Sequence, residues 1–332
     1  MNLRENYLAV LHHKSPEFVP TFFTAVHSVG FGAGPGPWFE KGPLGGGADG
    51  FGVLWVAPSS GGGAPIPEPG KFVLKDITKW KSEVTFPDVD AFDWEAEAKR
   101  ELEGCDRSQV VVDYGCGNGV FERLAALMGF EEALCALYIE PEACYDFFTA
   151  VTDYKIKVAE KVAKYYRADV FTNYDDVAME RNLFMSPETY RTLIKPHHKR
   201  LNDDVRNLGM LPLYHCCGKA EALIEDFIET GAVGWTSVQP CNDIVSLLKN
   251  YGDRIAIIGG FDTNGPPGMA DAPESAVRAE VRRCMDTYGP YPGYVFFGAK
   301  IVDSLDPAEI DKAYFPLIDE AAKYSLKLAG KQ

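Results

Sequence analysis

Short apolar runs alternate with amphipathic segments along the whole chain, a pattern that predicts strands followed by helices. The runs that predict strands are Phe22–Val26, Val110–Tyr114, Val170–Asp175, Leu211–His215, Gly234–Val238, Ile255–Gly260 and Tyr294–Phe297. Helical spacing predicts helices over Glu142–Tyr166, Pro187–Leu208, Glu221–Thr230, Asp243–Asn250, Pro273–Tyr288 and Pro307–Leu328. Such alternation favours a parallel sheet. At this length it predicts an α/β fold, a (β/α)8 TIM barrel with one weak strand, as a single domain over residues 1–332.

An irregular insertion interrupts this pattern at about residues 30–70, which are crowded with glycine and proline. A phosphate-binding loop is disfavoured, because Pro35 and Pro37 fall where such a loop opens into a helix. We expect a long loop over the barrel mouth, with Phe31 and Trp38 as substrate-binding candidates. A surface excursion with small β-hairpins is the alternative.

Charge and cysteine content narrow the class of protein. The formal net charge of -15 disfavours nucleic acid and anionic membranes as partners. Apolar stretches stay well short of the roughly 20 residues of a membrane span, and the first residues show no signal-peptide pattern. Eight cysteines without the spacing of a small disulfide-rich domain favour reduced thiols. We therefore expect a cytoplasmic protein.

The segment His215-Cys216-Cys217-Gly218 lies where a predicted strand gives way to a helix. Side chains alternate along a strand, so His215 and Cys217 point one way and Cys216 the other. An imidazole and a thiol that project together form half of a zinc site. A core histidine beside buried cysteines is the alternative interpretation.

A glycine-rich motif suggests a different fold. Gly115-x-Gly117-x-Gly119 follows a strand, and Glu140 lies 21 residues beyond, as in nucleotide-binding folds. This pattern is similar to the first motif of S-adenosylmethionine-dependent methyltransferases. The residues before Glu140 have helical rather than alternating spacing, which disfavours it. We keep it as a second alternative, together with a metal-free binding barrel.

Several stretches, in order, resemble the uroporphyrinogen decarboxylase superfamily. They include "RENYLAVLHHKSPEFVP", "GVFERLAALMGFEEALCALYIEPEACYDFF", "YHCCGKAEALIEDFIETGAVGWTSVQPCND" and "YGDRIAIIGGFDT". True decarboxylases of this superfamily carry an arginine-rich N-terminal loop, whereas the equivalent "FFTAVHSVGFGAGPGPW" has no arginine. The His-x-Cys-Gly segment is instead similar to the zinc-binding signature of the corrinoid-linked methyltransferases. The resemblance therefore implies Zn²⁺, held by His215 and Cys217, and cobalamin, carried by a partner corrinoid protein.

The chain departs from that signature near its C-terminus. Thiol-activating members supply a second cysteine after a late strand, where this chain has Gly298 and Ala299. The missing ligands must then come from other strand ends, and Cys241, Asp175 and Asp176 are the candidates, with Asp303 weaker. A site with a single thiolate would favour an oxygen- or nitrogen-bound methyl group over a thiol.

The remaining site candidates also follow predicted strands. Asp175, Asp176 and His27 are candidates for proton transfer. Gln239, Asn242 and Asp262 are candidates for substrate binding, with helix capping as the alternative. His197 and His198 are expected to be solvated. We predict a zinc-dependent methyltransferase acting on a small O- or N-methylated substrate, such as an aryl methyl ether. Decarboxylation is the runner-up, and a homodimer is left open.

Overall fold

A ring of parallel strands forms the centre of the protein. The computed structural model describes residues 1–30, 46–56, 65–304 and 306–330. Its strands are β1 (Val26–Val29), β2 (Gly47–Ala48), β3 (Leu54–Val56), β4 (Ile66–Pro67), β5 (Val111–Cys116), β6 (Val170–Tyr174), β7 (Leu211–His215), β8 (Gly234–Val238), β9 (Ala256–Gly260) and β10 (Tyr294–Phe297). The ring has the order β1-β5-β6-β7-β8-β9-β10.

The ring closes between its last strand and the residues before its first. The backbone N–H of Phe296 donates to the carbonyl of Pro20 at 2.9 Å. Thr21 also forms an isolated parallel bridge with Phe296. Closure of a parallel ring with intervening helices is the TIM-barrel-like fold that the alternating pattern predicts, and that prediction is confirmed.

Helices cover the outside of the ring. They are α1 (Leu3–Leu11), α2 (Phe22–Ala25), α3 (Trp80–Glu83), α4 (Trp94–Glu101), α5 (Val120–Met128), α6 (Phe130–Ile139), α7 (Pro141–Lys161), α8 (Pro187–Thr189), α9 (Lys195–Asn207), α10 (Ile224–Glu229), α11 (Ile244–Tyr251), α12 (Glu274–Tyr288) and α13 (Pro307–Leu328). The π-helical turns Val162–Tyr166 and Tyr190–Ile194 adjoin α7 and α9. The predicted helices agree with these bounds to within a few residues. No helix in the described ranges is both long and apolar enough to cross a bilayer.

One predicted strand is wrong. Phe22–Val26 is apolar, but Phe22–Ala25 forms a helical turn and the strand runs over Val26–Val29. The reason lies in tertiary packing. Phe23 stacks on Phe297 with 5.8 Å between ring centroids, and Phe22 meets the same ring edge-on at 5.1 Å. Both phenyl rings thus pack on one neighbour, which the alternating faces of a strand do not permit.

The inner face of the ring is apolar at the end where the strands begin, and α1 covers it. Tyr7, Val10 and Leu11 of α1 pack with the first inward residues of the strands. These inward residues include Val111, Val170, Leu213, Ala256, Ile258 and Val295. Arg4 of α1 also binds the Asp169 carboxylate, with 2.7 Å between Nη1 and Oδ2. This end of the ring is sealed, so the chemistry belongs to the opposite end.

The described part of the insertion folds as a small antiparallel sheet, β2-β3-β4, beside the ring. Its anchor is a buried ion pair in which Arg123 of α5 donates to Asp49 at 2.7 Å. Asp49 also accepts from the Trp55 indole at 3.0 Å. A charge pair removed from water holds its partners in one geometry, so this sheet has a defined position above α5.

Candidate metal centre

Three side chains meet at the carboxyl end of the strands. The ligand atoms of Asp176, His215 and Cys217 all lie within 4.8 Å of one another. Asp176 follows β6, and His215 ends the adjacent strand β7. The three side chains are half-buried, so they line the barrel mouth rather than the core. The predicted pairing of His215 with Cys217 is present, with 3.6 Å between Nε2 and Sγ.

The chain just after β7 follows the predicted alternation. Cys216 is buried in the outer core, where its Sγ accepts from the Val177 N–H at 3.5 Å. Gly218 has a φ of +80°, and a Cβ there would lie 2.7 Å from the Met179 carbonyl oxygen. Glycine is the residue that tolerates both conditions. This turn brings the Cys217 backbone N–H to the Asp176 carboxylate at 2.7 Å.

Consecutive residues of β8 contact both the histidine and the cysteine. The Thr236 hydroxyl lies 2.8 Å from His215 Nδ1, and the Ser237 hydroxyl lies 3.2 Å from Cys217 Sγ. Neighbouring residues in a regular strand point to opposite faces. Here the pairing with β9 shifts between Thr236 and Val238, and Ser237 has a φ of +64°. The bulge therefore turns both hydroxyls toward one site.

The donor set fits a catalytic zinc ion. An imidazole nitrogen, a thiolate and a carboxylate oxygen are three accepted zinc ligands, which leaves a fourth position for a substrate. The Thr236 contact occupies His215 Nδ1 and leaves Nε2 facing Cys217. The Tyr174 ring stacks on His215, with 4.1 Å between centroids, and so fixes the imidazole plane. Burial, and then the charges of Asp113, Cys217 and Asp176, raise the pKa of Tyr174.

The two adjacent aspartates have different surroundings. Asp175 is fully buried and caps α5, accepting from the Glu122 N–H at 2.9 Å. Its Oδ2 lies 2.8 Å from His198 Nε2. These contacts place Asp175 on the outer side of the ring, and Asp176 on the inner side with the metal candidates. The carboxylate pair predicted for one site is thus divided between two.

Of the three further candidates after β8, two hold the backbone of the turn at Gly218. Gln239 accepts from the Gly218 N–H at 2.8 Å. Asn242 is buried and donates to the Gly218 carbonyl at 2.9 Å. Cys241 lies outside the group formed by Asp176, His215 and Cys217, and burial raises the pKa of its thiol. The structure therefore places Gln239 and Asn242 as supports and does not bring Cys241 to the metal candidates.

The other candidates lie apart from the group. Val26 packs on the inner face of the ring, so His27 faces outward, where its Nε2 lies 2.7 Å from the Glu101 carbonyl. Asp262 accepts from the Gly265 N–H at 2.9 Å and closes a turn. Asp303 is exposed. Phe31 and Trp38 lie outside the described residues.

The expectation of solvated histidines on α9 is wrong. His197 and His198 are 4% and 3% exposed, because the face of α9 that carries them packs on α7 and on the core. Burial lowers the pKa of His197 to about 4. His198 instead contacts Asp175 and the Tyr190 hydroxyl, at 3.2 Å from Nδ1.

An acidic side chain absent from the sequence candidates lies inside the ring. Asp113 is two residues after Val111 on the inner face of β5 and is buried. Burial raises the pKa of Asp113 to about 7, although the Thr172 hydroxyl donates to it at 2.7 Å. A lone Asp in an apolar run gives little signal in the sequence, which explains why it was missed.

A parallel ring with candidate ligands on its strand ends defines an α/β-barrel enzyme. The family described as "Uroporphyrinogen decarboxylase (URO-D)" matches residues 60–313, and the chain belongs to that family. A uroporphyrinogen decarboxylase of Thermus thermophilus is 29% identical over 207 residues, which cover 61% of this chain and 53% of that protein. The chain thus spans about half the length of this curated relative.

Methyltransferases are also among the relatives. The methylcobamide:CoM methyltransferase MtaA of Methanosarcina barkeri is 26% identical over 119 residues, covering 36% of this chain and 33% of that protein. A solved methyltransferase from Methanosarcina mazei superposes with a TM-score of 0.68 at 16% identity, covering 98% and 99% of the two chains. At that identity the superposition establishes the fold alone.

Proposed function

We propose that this chain is a zinc-dependent methyltransferase that moves a methyl group between a small O- or N-methylated substrate and a partner corrinoid protein. The observation that carries the proposal is the convergence of Asp176, His215 and Cys217 within 4.8 Å at the barrel mouth. Family membership supports it, since one relative is named for methyl transfer from a methylcobamide.

Each residue of the centre has a distinct role in the proposal. His215 Nε2, Cys217 Sγ and a carboxylate oxygen of Asp176 hold the ion. When bound, zinc supplies a Lewis acid that polarises the heteroatom carrying the methyl group. Thr236 orients the imidazole, and Ser237 orients the thiolate. The Cys217 N–H holds Asp176 Oδ1 in place at 2.7 Å.

The ligand types support the choice of methyl substrate. Two thiolates would make zinc electron-rich and suited to a soft sulfur substrate, whereas one thiolate, one imidazole and one carboxylate make it a harder acceptor. Asp176, at the end of β6, is the third candidate ligand here, whereas the second cysteine of thiol-activating members corresponds to Gly298 and Ala299 of this chain. This difference favours an oxygen- or nitrogen-bound methyl group over a thiol.

Metal content of matched variants tests the centre. We expect about one zinc per purified chain, lost in His215→Ala and in Cys217→Ser. Cys241→Ser is the matched control, because that half-buried thiol lies outside the group. Methyl transfer to cob(I)alamin from methoxylated or N-methylated compounds should fail in the same two variants. Zinc retained in both variants would contradict the proposal.

A decarboxylase of the parent type is the second candidate. The 29% identity to a uroporphyrinogen decarboxylase favours it. The absence of arginine from "FFTAVHSVGFGAGPGPW" argues against it, since arginine is the side chain suited to bind several substrate carboxylates. Turnover of uroporphyrinogen by the purified chain, unchanged in Cys217→Ser, would favour the decarboxylase.

A further inference from the structure

A cavity of about 490 Å³ lies beside the metal centre, between the small sheet and helices α5 and α6. We call it the side cavity. Asp176 is part of its lining and also belongs to the metal group. A molecule bound in the side cavity therefore shares a wall with the proposed zinc site. The volume is within the usual range for a small-molecule site.

Five aromatic side chains line the side cavity. Phe121, Phe130 and Phe184 pack against one another, with 4.8 Å between the centroids of Phe130 and Phe184 and 6.0 Å between those of Phe121 and Phe130. Trp55 and Phe72 complete the aromatic lining, and Pro65, Pro67 and Pro69 also contribute. Flat, weakly polar walls of this kind suit another aromatic ring, through offset or edge-to-face contacts.

The walls are also held in place before any ligand arrives. The Trp55 indole donates to Asp49, which is paired with the buried Arg123. Gly129 has a φ of +92°, and a Cβ there would lie 2.8 Å from the Phe72 ring. A rigid pocket loses less conformational entropy when it binds a ligand.

Charge decides which aromatic compounds fit. The lining includes two carboxylates, Glu122 and Asp176, and no basic side chain among the described residues. A substrate carboxylate on the side of the cavity away from the zinc ion would have no basic side chain of the lining to pair with, and burying it unpaired costs free energy. At the rim, the Phe130 and Ile66 side chains are 46% and 48% exposed. Apolar side chains so exposed around a concave surface are typical of a ligand site.

We infer that the side cavity binds the aromatic ring of an uncharged methylated substrate, with its methyl-bearing heteroatom directed toward Asp176. This inference rests on the proposed function, because it assigns the substrate class of the same centre. It also assigns Phe130 and Trp55 as residues that determine specificity.

Direct binding to the zinc-loaded protein tests the inference. Anisole is the neutral probe, 4-methoxybenzoate is its anionic counterpart, and dissociation constants come from calorimetry or ligand-observed NMR. We expect anisole to bind at least about tenfold more tightly than 4-methoxybenzoate. Phe130→Ala, which removes an exposed wall at little risk to folding, should weaken anisole binding by about tenfold.

A matched pair of substitutions locates the bound ring. Ala125 lines the side cavity, so Ala125→Leu should fill part of it and abolish anisole binding. Ala150→Leu is the control, since Ala150 is similarly half-buried on α7 and outside the lining. Zinc content should stay unchanged in every variant. The inference would be overturned if Ala125→Leu and Ala150→Leu bound anisole with equal affinity, or if the protein preferred 4-methoxybenzoate to anisole. If zinc content is intact in that case, the proposed function still stands.

Discussion

The buried pair between Asp49 and Arg123 provides a test of how the small sheet is held on the barrel. The side chains of Arg123 and Asp49 are 1% and 0% exposed. Asp49 Oδ1 also accepts from the backbone N–H groups of Phe51 and Val53, each at 2.9 Å. The guanidinium lies 4.0 Å from the Phe51 ring centroid. One carboxylate thus neutralises a cation and organises the loop before β3.

Asp49→Asn removes the charge and keeps an oxygen that accepts from the two backbone N–H groups. It takes the Asp49 charge away from the buried Arg123 side chain, and breaking such a pair costs about 3–5 kcal/mol. We therefore expect the free energy of unfolding to fall by about 3 kcal/mol or more. Asp203→Asn is the matched control. Its partner Lys199 is 53% exposed, and an exposed i,i+4 pair contributes only about 0.3–0.5 kcal/mol.

Urea unfolding followed by circular dichroism measures both losses, and the m-value shows whether the transition remains two-state. A lower m-value with loss of protection from hydrogen exchange in β3 would show that the small sheet opens separately. Anisole binding should weaken along with stability, because Trp55 loses its hydrogen-bond partner. An unchanged m-value with a loss of unfolding free energy below about 1 kcal/mol would refute the reasoning, since breaking a buried ion pair is expected to cost about 3 kcal/mol or more.

Two further predictions concern the mouth and the interior of the barrel. Ser237→Ala should weaken zinc binding by roughly 10–100-fold, as loss of an outer hydrogen bond to a ligand does, and should shift the thiolate-to-metal absorption band of the cobalt-substituted protein. Unchanged affinity and absorption would show that the 3.2 Å contact with Cys217 has no influence. Asp113 ionises near 3.8 when unfolded and at about 7 when folded, so the folded protein retains a proton that the unfolded chain has lost. Stability should therefore fall as pH rises across that window, by about 1 kcal/mol per pH unit, and Asp113→Asn should flatten the fall and be the more stable form at pH 7. The prediction would be contradicted if the free energy of unfolding in urea changed with pH in the same way for the unsubstituted protein and for Asp113→Asn.

Most of the barrel could be predicted because most of the strands lie in short runs rich in apolar residues and each helix keeps its own period. The exception is Phe22–Val26, where local composition favours a strand. Packing of Phe22 and Phe23 on Phe297, a residue distant in sequence, decides otherwise. The residues next to Phe22 and Phe23 in the sequence give no indication of this packing on Phe297.

At the metal centre, alternation correctly placed His215 and Cys217 on one face and Cys216 on the other. The same alternation puts Asp175 and Asp176 on opposite faces, but it could not reveal the contacts with α5 and His198 that hold Asp175 on the outer side. Nor could it reveal the bulge at Ser237, since a serine with positive φ has no sequence signature comparable to that of glycine. Contacts between separate strand-and-helix units of the barrel therefore determine the features that the sequence did not predict, namely the surroundings of Asp175 and the bulge at Ser237.

The position of the ring closure has a mechanical consequence for the metal centre. Neighbouring strands elsewhere in the ring are joined by several registered residue pairs, whereas the described closure depends on the backbone contact between Pro20, Thr21 and Phe296. Strand β7, which ends in His215, is fourth of seven and so lies opposite this weak seam. Local opening that starts at the seam must spread through three strands on either side before it separates the candidate metal ligands.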